Sequence, residues 1–138
     1  MKNINILFIS LISVLMAFCT PSQETTNALI NDIWALEFIK GVDFNPDSNS
    51  KQRPMIEIHL KDKTITGNTG CNNMNGTVVV EENQIEFSDI ITTKMFCAEG
   101  IEQEFLIALG MVNNYKIEKM KLYLYKDDEE IMIFQKID

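Results

Sequence analysis

Pro54-Met55-Ile56-Glu57-Ile58-His59-Leu60-Lys61-Asp62-Lys63-Thr64-Ile65-Thr66 is the stretch that decides the fold class. Ile56, Ile58 and Leu60 alternate with Glu57 and His59. A strand sends successive side chains to opposite faces, so this segment has one apolar and one polar face. Lys61-Asp62-Lys63 reads as a turn and Thr64-Ile65-Thr66 as the returning arm of a hairpin. His59 then lies on the polar face, as a solvated strand histidine. Upstream, Trp34, Leu36 and Phe38 alternate within Ile33–Ile39 and define one face of an earlier strand, which Gly41 ends. Val42 to Arg53 is a loop rich in Asp, Asn, Ser and Pro. Downstream, Gly67 to Gly76 is dense in glycine and asparagine and reads as a shaped loop. Thr77-Val78-Val79-Val80 is β-branched and favours a strand. Glu82-Asn83 makes a turn before a short strand, Gln84-Ile85-Glu86-Phe87.

Only one segment has a helical period. Between Ala98 and Asn114, the residues Ile101, Phe105, Leu109 and Val112 recur at helical spacing. Glu99, Glu102 and Glu104 fall in the first turns, where the helix dipole favours negative charge. The tail returns to strands: Tyr115–Glu118, a turn at Lys119-Met120, Leu122–Tyr125, an acidic turn over Asp127–Glu130, then Ile131–Phe134. The expected class is α+β: a mainly antiparallel sheet of about seven or eight short strands, barrel-like if it closes, with one packed helix.

The chain has 138 residues, 12 basic and 20 acidic side chains, and a net charge of -8. That sign repels phosphate backbones, so no nucleic-acid partner is expected. Residues 1–18 read as a signal peptide: Lys2 is followed by an apolar run of about 15 residues, short of the roughly 20 that span a membrane. Cys19, directly after Met16-Ala17-Phe18, resembles the acylated cysteine of bacterial lipoproteins, although Met16 and Phe18 depart from the preferred residues. Residues 19–28 are then a lipidated cysteine and a polar tether, and 29–138 the folded domain. The resemblance implies a membrane partner through the lipid, in the bacterial cell envelope. Thr20 is not the aspartate of inner-membrane retention, which favours the outer membrane facing the periplasm.

Cys71 and Cys97 remain once Cys19 carries lipid. Export would put them in an oxidising compartment, where such a pair forms a disulfide. Three other readings stay open: a zinc site with His59 and an acid, which lacks ligand spacing; a thiol activated by His59; and two buried free thiols. Asp43–Asn49 has alternating oxygen side chains like the start of a calcium loop, but Ser48 stands at its glycine position and Pro54 at its last acidic one. No metal, cofactor or catalytic residue is expected. Met55, Met95, Met111 and Met132 read as core filler.

Two segments together resemble one family. Gly67-Asn68-Thr69-Gly70-Cys71-Asn72 followed by Gly76, and Thr93-Lys94-Met95-Phe96-Cys97, are similar to the G-x-x-G-C-N-x-x-x-G and T-x-M-x-C signatures of the META domain. That family includes the HslJ-like heat-shock lipoproteins. Trp34-Ala35-Leu36 resembles its opening W-x-L, and Lys119-Met120 departs from its usual Gly-Asp or Gly-Asn turn. The resemblance implies export or lipid anchoring and a part in stress tolerance, including novobiocin resistance, with no established catalytic residues. Cys71, Cys97 and Asn72 match the family positions; Gly67, Gly70, Gly76, Thr93 and Met95 complete the structural motif. The leading expectation is a non-enzymatic, lipid-anchored envelope protein whose partner is an envelope protein or a small ligand. The alternative is a small-ligand or peptide-binding module that uses the Gly67–Gly76 loop or a sheet edge. A hydrolase built on His59 is the third reading.

Overall fold

The computed structural model describes residues 29–47, 53–97 and 100–137. The leader, Cys19, the tether, Ser48 and Asn49 lie outside the described residues. Among the described residues eight strands run in order: β1 (Ile33–Ile39), β2 (Met55–His59), β3 (Thr64–Asn68), β4 (Asn73–Glu81), β5 (Gln84–Thr92), β6 (Asn114–Glu118), β7 (Lys121–Lys126) and β8 (Glu129–Ile137). A helix, α1 (Glu102–Met111), joins β5 to β6. Each strand pairs antiparallel with the next, and β1 pairs with β8, so the sheet closes into a ring. This is the α+β class that the alternation predicts.

The ring has one weak seam. β5 and β6 are in register only at Gln84–Asn114. Two backbone bonds flank that pair, Ile85 N to Asn113 O at 3.2 Å and Tyr115 N to Asn83 O at 2.9 Å. α1 returns the chain along the rest of β5 and packs on β5 and β8. An unpaired strand edge exposes backbone donors and acceptors, and a covering helix is one way to shield it.

The interior is filled by side chains. Trp34, Leu36, Ile56, Ile58, Ile65, Val78, Ile85, Leu122, Leu124 and Phe134 are buried from the strands, and Phe105, Ala108 and Leu109 from α1. Phe105 meets Phe134 edge-to-face at 6.3 Å between ring centres. The Trp34 indole donates to Ile30 O at 2.9 Å, so its polar group is satisfied inside the core.

Four expectations need correction. The inward face of β1 does not run Trp34–Leu36–Phe38. Leu36 pairs with Phe134 and Phe38 with Ile133, so a bulge at Glu37 flips the alternation. Ile39 turns inward and Phe38 is left 40% exposed. The segment Gly67–Gly76 is not one loop: Gly67 and Asn68 end β3, Asn73–Gly76 begin β4, and only Thr69–Asn72 turns. Gly67 and Gly76 serve close packing. A Cβ on Gly67 would lie 2.0 Å from Met55 O. A Cβ on Gly76 would lie 2.8 Å from Ser88 O, where β5 bulges at Asp89.

The helix is shorter than its apolar period. It starts at Glu102, and Val112 is already extended, because Asn113 N is captured by Tyr125 O at 2.9 Å. Finally, Met95 and Met111 are exposed and are not core filler, whereas Met132 is buried.

Candidate functional site

Asn68, Thr69 and Asn72 are the buried polar residues among those described; Asn68 ends β3, and Thr69 and Asn72 sit in the turn that follows it. Such groups must be hydrogen-bonded inside the protein, because water cannot reach them. Asn68 Oδ1 accepts the Gly70 N–H at 3.0 Å, which shapes the turn while Gly70 takes a φ of 88°. Thr69 N donates to Asn72 O at 2.8 Å, and Asn72 N donates to Thr69 Oγ1 at 3.0 Å.

From this turn the Asn72 side chain reaches two other segments. Its Oδ1 accepts from Met95 N at 2.7 Å and from Thr93 Oγ1 at 2.8 Å. Its Nδ2 lies 2.9 Å and 3.2 Å from the two carboxylate oxygens of Glu102, and 3.3 Å from Met95 O. Thr69 Oγ1 also donates to Glu102 Oε2 at 2.5 Å. Both polar atoms of one amide therefore fasten the T-x-M-x-C segment and the first residue of α1 to the same turn. Burial raises the Glu102 carboxyl, but hydrogen bonds from Thr69 and Asn72 outweigh it and hold the group below the usual glutamate range.

Cys71 and Cys97 form a disulfide with Cα atoms 6.2 Å apart, within the ordinary range. Cys71 is half-buried and Cys97 exposed. The bridge lies five residues before α1 begins, so it pins the segment leading into the helix rather than the helix itself.

The fold brings Gly70, Cys71, Asn72, Thr93, Met95 and Cys97 together. Gly67 and Gly76 stand apart, inside β3 and β4, where they permit strand packing. Cys19 lies outside the described residues. Thr69 and Glu102 complete the cluster and are not singled out as site residues in the sequence reading. The signal for Glu102 was its place in an acidic first turn; nothing local marks its partner thirty positions upstream. His59 is on the outer face of β2, 3.4 Å from Glu57 and at the opposite end of the ring from Asn72.

Beside the cluster is a recess of about 550 Å³ lined by Met95, Phe96, Gly100, Glu102, Glu104 and Leu106 among others. Among the described residues, no group of three or more His, Cys, Asp or Glu could hold a metal ion, and no helix is long and apolar enough to cross a membrane.

The META domain matches residues 27–138. A protein from Burkholderia xenovorans, solved by NMR, is 20% identical, with 84% of this chain and 88% of that one covered and a TM-score of 0.68. A crystal structure of a DUF4847 family protein from Bacteroides vulgatus is 16% identical, with 83% and 99% covered and a TM-score of 0.57. At these identities the likeness is one of fold. No curated protein matches. The signature residues gathered around Asn72 and the match over nearly all of the folded chain lead to one conclusion: the chain belongs to the META domain family.

Proposed function

We propose that this META-domain protein is exported, acylated on Cys19 and held on the bacterial cell envelope, at the outer membrane facing the periplasm, where it contributes to stress or antibiotic tolerance without turning over a substrate. One observation carries the non-enzymatic part. Both polar atoms of the Asn72 amide, and both oxygens of Glu102, are engaged in holding backbone and helix together. Side chains committed in this way hold the scaffold in place and are poorly disposed to exchange protons with a reactant. The export part rests on the leader and Cys19.

Anchoring has an orientation. Asn31 Oδ1 accepts from Leu60 N at 2.9 Å, and Asp32 O from Ile58 N at 3.1 Å, so the chain enters the ring at the end of the Lys61–Lys63 turn. The length of β3 separates that end from the Asn72 turn. A tether at residues 19–28 would therefore leave the Asn72 end facing away from the membrane.

Radiolabelled palmitate tests the anchor. Label should enter the wild-type protein and be absent from Cys19→Ser; an unlabelled wild type refutes it. Deletion of the gene should raise sensitivity to heat or novobiocin, and the wild-type chain, but not Cys19→Ser, should restore tolerance.

A further inference from the structure

We propose that the ring end carrying Met95 and Phe96 is a docking surface for a polypeptide segment in which Lys or Arg stands beside an aromatic or aliphatic side chain. The proposal goes beyond envelope anchoring and does not depend on it. Phe96 is 94% exposed and Met95 58% exposed, although side chains of these types are normally withdrawn from water. The segment that displays them is pinned. Met95 N and Met95 O both bond the Asn72 amide, and Cys97 is tied to Cys71. A rigid apolar display loses little freedom when a partner covers it.

The adjoining recess sets the partner's charge. Its volume of about 550 Å³ falls in the roughly 300–1,000 Å³ range of binding clefts. Glu102 and Glu104 line it, and among the described residues no basic side chain does. Lys94, the residue before Met95, is exposed and is not part of the lining. Glu102 is engaged by Thr69 and Asn72, but Glu104 is exposed and makes no hydrogen bond or ion pair with a described residue. The two carboxylates of the lining favour a cation over an anionic lipid headgroup in this recess. A second copy docked face to face would set Glu104 against its own equivalent. A cationic, apolar peptide satisfies both features at once: its apolar side chain covers Phe96 and its cation meets Glu104.

The test pans a displayed random peptide library against the full chain in detergent micelles, with Phe96→Asp as counter-selection. Enriched sequences should place Lys or Arg next to an apolar residue. Their affinity, read by fluorescence anisotropy, should fall about 10- to 100-fold in Phe96→Ala, the range expected for losing one buried aromatic contact. Glu104→Gln should weaken it several-fold and flatten its salt dependence. Both side chains are exposed, so unchanged unfolding midpoints will show that the variants fold. No enrichment over counter-selection, an acidic consensus, affinity indifferent to Phe96→Ala, or tighter binding to phosphatidylglycerol vesicles than to any peptide would each overturn the proposal.

Discussion

Glu102 shows how a single carboxylate couples this fold to pH. Burial raises its pKa, the hydrogen bonds from Thr69 and Asn72 lower it, and the second effect prevails. The folded carboxyl therefore takes up a proton less readily than the unfolded one. Its stabilisation is present in full above the ordinary glutamate pKa of about 4.3 and is lost as pH falls through the lower folded value. Glu102→Gln should be less stable than wild type at pH 7, and its urea midpoint should decline less steeply below about pH 4. Asp32 behaves in the same sense: burial raises it, but Lys136 and the Ile33 N–H together hold it low. The comparison must therefore be made between variants and not on wild type alone.

Among the elements, the β6–β7 hairpin carries the clearest local conflict. Glu118 pairs with Lys121, which leaves Lys119 and Met120 as a two-residue turn with φ of 51° and 63°. Two positive φ values match the right-handed twist of a hairpin, and Asn-Gly is the pair that adopts them most readily. Lys and Met there each carry a steric cost of roughly 1–2 kcal/mol. Changing both, Lys119→Asn with Met120→Gly, should stabilise the protein by about 1 kcal/mol and raise its melting temperature by about 4–8 °C in calorimetry. An unchanged or lower temperature would contradict this account of the turn.

The same hairpin shows what can be read locally. Each flanking strand announces itself by alternation, and the turn falls where the alternation breaks. β1 was legible for the same reason up to Leu36 and misread beyond it, because a bulge adds one residue without any change in residue type. Gly67 and Gly76 stand in a stretch with the composition of a loop, yet they are demanded by neighbours from other strands, Met55 and Ser88. Glu102 and Asn72 are thirty positions apart, and no period or motif in one sequence links them.

At the scale of the whole molecule, stability should be uneven. Most neighbouring strands pair over several residues, but β5 and β6 meet at one registered pair, and α1 packs on β5 and β8 beside what the sheet leaves open. Weakly paired elements open first in native-state exchange. Amides of Ile85 and Tyr115 should thus exchange faster than those of β7 and β8. Reducing the disulfide, which closes a loop of 26 residues, should lower stability by roughly 3–4 kcal/mol and speed exchange in 93–97 before the rest of the ring.

The signature residues form a brace in which Asn72 ties a turn, a pinned segment and a helix together. Urea unfolding of Asn72→Ala against wild type at pH 7 tests it most directly. Removing that amide takes a hydrogen-bond partner from the Met95 N–H, the Thr93 hydroxyl and the Glu102 carboxylate at once, so a loss of about 3 kcal/mol is expected with native secondary structure retained. A variant as stable as wild type, within about 0.5 kcal/mol, would contradict the account, because residues that brace nothing would need another reason to converge there.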